Sequence, residues 1–147
     1  MAVTDEIIEL GKKAVAERNN NNFVGFEKYA EQGYSLIEQT SVDTIQDIGY
    51  RYIKMILKGY LGNQSFDLVK KWLDRLIKFN NEVHFSDEEV GFYSGVYHFE
   101  TGNLEEAYKQ WREVVRHSGN NHFRYFEGED KKYVEFYKKQ TKLQESK

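Results

Sequence analysis

Side chains that could perform acid–base chemistry are few and scattered along this chain. Four histidines, His84, His98, His117 and His122, are the side chains expected to titrate near neutral pH. None has the spacing of metal ligands, so we predict no metal site. His98 stands between aromatic residues, which favours a packing role. His122 lies close to Arg124 in an aromatic segment, and it has the stronger claim to a function.

Nucleophiles and paired carboxylates have structural explanations. The sequence contains no cysteine, which excludes thiolate catalysis, thiolate metal sites and disulfides. Ser41 and Ser86 precede predicted helices, where a hydroxyl caps backbone N–H groups. Glu105 and Glu106 fall in the first turn of a predicted helix, where negative charge is favoured. We therefore predict neither an enzyme nor a cofactor. The enzyme hypothesis that stays open pairs His98 or His122 with a carboxylate of a neighbouring helix.

Length and composition favour a helical domain. The 147 residues fit one domain with one core, and the absence of proline favours uninterrupted helices. Met1–Ile8 lacks the basic and apolar regions of a secretion signal, and no apolar run approaches the ~20 residues of a membrane span. We expect a cytoplasmic protein without a membrane segment.

Apolar residues at helical spacing predict three helical hairpins and a terminal helix. The hairpins cover about residues 3–40, 42–79 and 86–117, and the last helix covers about residues 130–141. Together they predict a single all-α domain over residues 1–147. The third helix is apolar over so much of its circumference that we expect it to be central.

Capping residues support several of these helix starts. Ser41 is available to cap the third helix. Ser86 with Glu89, and Asn103 with Glu106, have the spacing of a capping box, in which each side chain satisfies a backbone donor. These capping residues predict the starts of the fifth and sixth helices more closely than apolar spacing alone does.

The segment between Gly95 and Val114 has the pattern of two packed antiparallel helices. Gly95 lets the first helix approach its partner closely, and Gly102 makes the turn. Ala107 and Trp111, one helical turn apart, present a small and then a large residue to the first helix. This segment therefore predicts a packed helix pair and gives no indication of a catalytic site.

This pattern resembles the tetratricopeptide repeat. The signature positions are met by Gly95, Gly102, Ala107, Trp111 and Val114. Gly91 and Ser94 depart from it, because a large aromatic residue and a leucine are usual there, and Gly119 replaces the closing proline. The resemblance implies a short α-solenoid of about three hairpins with a C-terminal capping helix.

Charge is distributed unevenly along the sequence. Residues 81–130 contain 11 acids and 4 bases, whereas residues 131–147 contain 2 acids and 6 lysines. Outside this basic tail, Lys and Arg do not cluster as a nucleic-acid surface requires, and we expect the tail to be a solvated, frayed end. We predict a protein partner, and the acidic middle segment favours a basic one.

Aromatic side chains are a second indication of binding. Tyrosine contributes 11 residues, more than a small helical core needs, so we expect some rings to face a partner. His122–Asp130 combines three aromatics, an arginine and three acids, a mixture that suits recognition. Gly128–Tyr137 resembles the ending of small bacterial repeat-like proteins that accompany toxins. This resemblance implies an immunity protein, as in contact-dependent inhibition, that neutralises a cognate toxin.

Two functional hypotheses carry most weight. The leading one is a non-catalytic protein-interaction module, in particular an immunity protein that binds a basic toxin or nuclease domain through an acidic, aromatic surface. The alternative is an adaptor or chaperone that binds a partner peptide or helix in a concave groove. Self-association into a homo-oligomer through terminal faces stays open. The predicted partner-binding residues are Tyr97, Glu100, Glu105, Glu106, Tyr108, His122, Arg124, Tyr125, Glu127 and Glu129.

Overall fold

Seven α-helices dominate the computed structural model, which describes residues 2–119 and 122–146. In chain order they are α1 (Val3–Asn19), α2 (Phe23–Glu38), α3 (Gln46–Gly62), α4 (Phe66–Val83), α5 (Asp87–Glu100), α6 (Leu104–His117) and α7 (Lys131–Glu145). Two short 3-10 turns, Val42–Thr44 and Arg124–Phe126, lie between helices. The described residues form no strand, so the predicted all-α class is confirmed.

The helices pack as hairpins that join α1 to α2, α3 to α4 and α5 to α6. Contacts divide the chain into two compact units, Met1–Phe85 and Ser86–Lys147. The first unit contains two hairpins, and the second contains the third hairpin with α7, which packs on α6. The single domain predicted over residues 1–147 stays a prediction.

Helix α3 supplies much of the core of the first unit, as its apolar circumference suggests. Its side chains Tyr50, Ile53 and Ile56 are almost fully buried. Glycines let rings approach the helices closely: the ring of Phe26 lies directly against Gly59 of α3. A methyl group at Gly59 would overlap that ring, so the close approach requires glycine.

The core of the second unit is built around one tryptophan. The indole of Trp111 lies over Gly95, where a side chain would overlap it, and its N–H donates to the carbonyl of Phe92 at 3.0 Å. The rings of Phe126 and Tyr133 lie 5.4 and 5.5 Å from the indole, measured between centroids. The helix pair inferred from Gly95–Val114 is therefore present, and its small and large residues are in contact.

Helix boundaries agree with the predicted caps in α5 and α6 but not in α3. Ser86 accepts the N–H of Glu89 at 3.2 Å, and Asn103 accepts that of Glu106 at 3.3 Å. Ser41 makes no side-chain cap, and α3 begins only at Gln46, after a 3-10 turn. Helix α3 begins later than predicted because Ile45, directly after the 3-10 turn, is buried in the core, where it is 1% exposed.

Two helices continue beyond their predicted ends. Helix α4 runs to Val83, and α7 runs to Glu145, so the expected frayed tail is wrong for most of its length. Tyr137 of α7 is buried, and the hydroxyls of Tyr108 and Thr141 lie 3.3 Å apart. These packing contacts hold a lysine-rich segment in helix.

Candidate functional site

The structure does not gather the candidate catalytic residues into one site. Within residues 2–119 and 122–146, no group of three or more His, Asp and Glu side chains could hold a metal ion. The ring of His98 packs edge-on against Tyr97, with centroids 5.4 Å apart. His117 lies 3.5 Å from the carboxylate of Glu113, and His122 is exposed. These histidines have no arrangement that defines a reaction.

Several predicted partner-binding residues have internal partners in the second unit. Glu100 accepts the hydroxyl of Tyr133 at 2.7 Å and lies 2.8 Å from the ammonium of Lys132. Its hydrogen bond to the ammonium raises the pKa of Lys132. Tyr93 donates to the carboxylate of Glu129 at 3.4 Å. Glu100 therefore attaches α7 to α5, and both carboxylates face the interior of the unit as well as solvent.

Tyr108 and Glu106 also make contacts within the second unit. The ring of Tyr108 stacks on Tyr137 with centroids 5.3 Å apart. The side-chain amide of Gln110 donates to Glu106 at 2.9 Å, and this hydrogen bond lowers the pKa of Glu106. Tyr97 is half-buried in α5.

The other predicted residues lie nearer the surface. Glu105, His122, Arg124 and Glu127 are exposed, and Tyr125 is half-buried with its ring centroid 5.2 Å from the Arg124 guanidinium. No single cleft brings these residues together among those that the structure describes. Their role in partner binding stays a prediction.

An acidic cleft between α5 and α6 was not predicted. It measures about 370 Å³, its acidic lining comes from Asp87, Glu88 and Glu113, and His117 lies beside them. Gly91 also lines this cleft, where a methyl group would lie 2.9 Å from the side chain of Val114.

An apolar cleft lies between α1 and α3 of the first unit. It measures about 380 Å³. Its apolar lining comprises Ile7, Ile8, Gly11, Val15, Ile48 and Met55. Ile8 is 38% exposed, and Val15, Ile48 and Met55 are half-buried, so this surface is open to solvent. We call it the α1–α3 cleft.

Gly11 and Tyr52 form the floor of the α1–α3 cleft. A methyl group at Gly11 would lie 3.5 Å from the ring of Tyr52, which is ordinary contact. The hydroxyl of Tyr52 points away to donate to the carbonyl of Tyr29 at 2.7 Å, and burial raises the pKa of Tyr52. The floor therefore presents an aromatic face, and a larger residue at position 11 would fill the space above it.

One end of the α1–α3 cleft is cationic. Lys12 and Arg51 line the apolar part, and Arg51 with Met55 continues into a second hollow that is lined by Arg18, Lys54 and Lys58. No acidic side chain lines either hollow. The continuous surface thus joins apolar side chains to five cations. Lys and Arg therefore do cluster outside the C-terminal tail, contrary to the expectation from the sequence.

Sequence reasoning missed this cleft although its signal was present. Ile8 lies off the stripe of α1 that Ile7 and Ala14 bury, and Ile48 and Met55 widen the apolar circumference of α3. The wide apolar circumference of α3 predicts a central helix, buried on all sides. The half-buried state of Ile48 and Met55 shows that part of it lines an open surface.

No protein-family model matches this sequence, and no curated protein or solved structure is significantly similar to it. The resemblance to the tetratricopeptide repeat therefore stays a prediction that rests on the residues quoted above. Among the described helices, none is long and apolar enough to span a membrane.

Proposed function

We propose that this chain is a non-catalytic, cytoplasmic protein-interaction module that binds a segment of a partner protein in the α1–α3 cleft. The observation that carries this proposal is the open apolar surface formed by Ile8, Val15, Ile48 and Met55. Fully burying an exposed large apolar side chain contributes about 1.5–3 kcal/mol. These four side chains are already mostly buried, so each adds a fraction of that value and the driving force is their sum. This proposal is the groove-binding alternative among our sequence hypotheses, with the α1–α3 cleft as the proposed groove.

Site-specific photo-cross-linking in the cells that make the protein tests this proposal. Ile8 is replaced by benzoylphenylalanine in one variant, and Val24, an exposed apolar residue of α2 outside the cleft, is replaced in the control. We expect one partner to be cross-linked from position 8 and not from position 24. The variant Gly11→Leu should abolish the product, whereas Ala16→Leu, on the exposed side of α1, should not. Equal products from both positions would contradict the proposal.

A second candidate function is the immunity protein that the ending of the chain suggested. The acidic cleft between α5 and α6, together with the exposed Glu105 and Glu127, favours it. These carboxylates would attract a basic toxin domain and speed its association. On this hypothesis the association rate falls as salt concentration rises.

Charge reversal tests the immunity hypothesis with residues that have no internal role. The variant carries Glu105→Lys and Glu127→Lys, and Glu100 and Glu129 stay unchanged because they have partners within the unit. Affinity capture from the producing cells should recover a basic protein with the wild type and much less with the variant. Equal recovery would rule out Glu105 and Glu127 as the acids that bind the partner.

A further inference from the structure

The α1–α3 cleft offers apolar contact but few hydrogen-bond acceptors. Its walls are helices, whose backbone groups are largely bonded within the helices. Apart from apolar residues it is lined by Lys12 and Arg51, which only donate, and by Tyr52, whose hydroxyl is committed to the carbonyl of Tyr29. An extended peptide would bring unpaired N–H groups against this surface. Leaving such groups unpaired is costly, so the occupant must satisfy its own backbone.

The dimensions of the cleft suit a helix of a few turns. The lining of α1 extends from Ile7 to Arg18, and that of α3 extends from Ile48 to Lys58. At 1.5 Å per residue each wall is about 15–16 Å long, or about three helical turns. Two helices side by side leave a groove that accepts a ridge of side chains at spacing i, i+4 and i+7 from a third helix.

The charge of the lining determines the charge of the occupant. Arg18, Lys54 and Lys58 supply the cationic end of the lining, and Lys54 and Lys58 also interact with other groups of the chain. Lys12 and Arg51 pair with acids of their own helices, but these pairs are exposed and therefore exchange readily with other carboxylates. A complementary occupant carries Asp or Glu at the end that covers Arg18 and Lys58.

We infer that the occupant of the α1–α3 cleft is an amphipathic α-helix of a partner protein, with an apolar stripe of about three turns and carboxylates at one end. This inference rests on the proposed binding function and specifies its partner. It excludes an extended peptide and a basic segment as occupants of this cleft.

Synthetic peptides test the inference on the full-length protein. The probe has about 16 residues with leucines at spacing i, i+4, i+7 and i+11 and three glutamates at one end, and a lactam bridge fixes it as a helix. One control is the same peptide with two central residues replaced by proline, which prevents a helix. A second control has lysines in place of the glutamates. Binding is measured by fluorescence polarisation at low and high salt.

We expect the bridged acidic peptide to bind at least about tenfold more tightly than either control. Its advantage over the lysine peptide should shrink as salt concentration rises. Gly11→Leu should abolish binding, because leucine fills the cleft without a clash at its Cβ, and Ala16→Leu should preserve it. Circular dichroism of both variants confirms that they remain folded.

Other outcomes overturn separate parts of the argument. If the proline peptide binds as tightly and Gly11→Leu still abolishes binding, the helical occupant is wrong but the cleft remains a binding site. Equal binding of the lysine peptide overturns the acidic occupant. If no peptide binds, or if Gly11→Leu has no effect, the proposed function of the cleft fails as well.

Discussion

At the scale of single residues, two buried tyrosines of the first unit differ in one hydrogen bond. The hydroxyl of Tyr60 is buried and has no partner among the described residues, whereas that of Tyr52 donates to Tyr29 at 2.7 Å. A buried hydroxyl without a partner costs free energy, and a paired one stabilises the fold modestly. The same chemical change should therefore have opposite effects at the two positions.

We predict that Tyr60→Phe leaves the free energy of unfolding unchanged or raises it by about 1 kcal/mol, because it removes an unpaired polar atom. Tyr52→Phe should lower it by about 1 kcal/mol, since the carbonyl of Tyr29 loses its donor. Urea unfolding followed by circular dichroism measures both. A clear loss of stability in Tyr60→Phe would show that its hydroxyl has a partner in solution.

At the scale of helices, the hairpin of α5 and α6 depends on the glycine at position 95. We predict that Gly95→Ala lowers stability by about 1–3 kcal/mol, although alanine is the better helix former, because its methyl group overlaps the indole of Trp111. Gly62→Ala is the control, since nothing lies within 4 Å of its added methyl group. Thermal unfolding should show a lower midpoint only for Gly95→Ala. Equal midpoints would contradict the close packing described for this hairpin.

Helix α7 provides a second test at this scale. We predict that Glu100→Gln lowers stability by about 1–3 kcal/mol and exposes α7 to trypsin, because it weakens the bonds to Tyr133 and Lys132. Glu105→Gln, an exposed neighbour in sequence, should do neither. Limited proteolysis compares cleavage after the lysines of α7 in the two variants. Unchanged cleavage would mean that aromatic packing alone holds the helix.

The sequence predicted helices well where local rules act. Gly95, Gly102 and Trp111 predicted the third hairpin. A close helix approach and a tight turn each require glycine, and the packing between the helices requires a large residue. It misplaced the start of α3, because the burial of Ile45 outweighed the capping side chain of Ser41. Tertiary packing decides such boundaries, and a single sequence contains little trace of it.

The candidate site was predictable only in part, for the same reason. Glu100 and Glu129 resemble surface acids in sequence, but tyrosines more than 30 residues away donate to both. The α1–α3 cleft arises because Gly11 of one hairpin lies beside Tyr52 of the next. Spacing within a helix indicates which face is apolar, but the neighbour that covers that face comes from elsewhere in the chain.

At the scale of the whole molecule, the uneven charge of the sequence is moderated by the fold. The acidic stretch and the lysine-rich tail both belong to the unit Ser86–Lys147. This unit contains 12 acids and 10 bases, a net charge of −2, whereas residues 81–130 alone have −7. Electrostatic attraction of a basic partner therefore depends on local clusters and not on the net charge of the unit.

Alkaline pH should destabilise the whole molecule. Burial raises the pKa of several tyrosines in both units, and it raises that of Tyr60 to about 12. An unfolded tyrosine loses its proton near pH 10, so above that pH the unfolded state binds fewer protons than the folded state, and stability falls. The contribution of Tyr60 is complete below pH 10 and is lost between pH 10 and 12.

We predict that the free energy of unfolding falls by about 1.4 kcal/mol per pH unit for each tyrosine that is ionised only when unfolded. Urea unfolding at several pH values between 8 and about 11.5 measures this slope. Tyr60→Phe should reduce it. A slope that does not change in this variant would show that Tyr60 ionises normally in the folded protein.

The placement of the two tryptophans has a practical consequence. Trp72 lies in the first unit under the guanidinium of Arg75, and Trp111 lies in the second, bonded to a backbone carbonyl. Both are almost fully buried, in different polar surroundings. The chain thus contains one tryptophan per unit, whose emission can be excited selectively over that of the tyrosines. With either tryptophan changed to phenylalanine, the emission of the other reports the melting of its own unit, so the cooperativity between the units can be read without attached dyes.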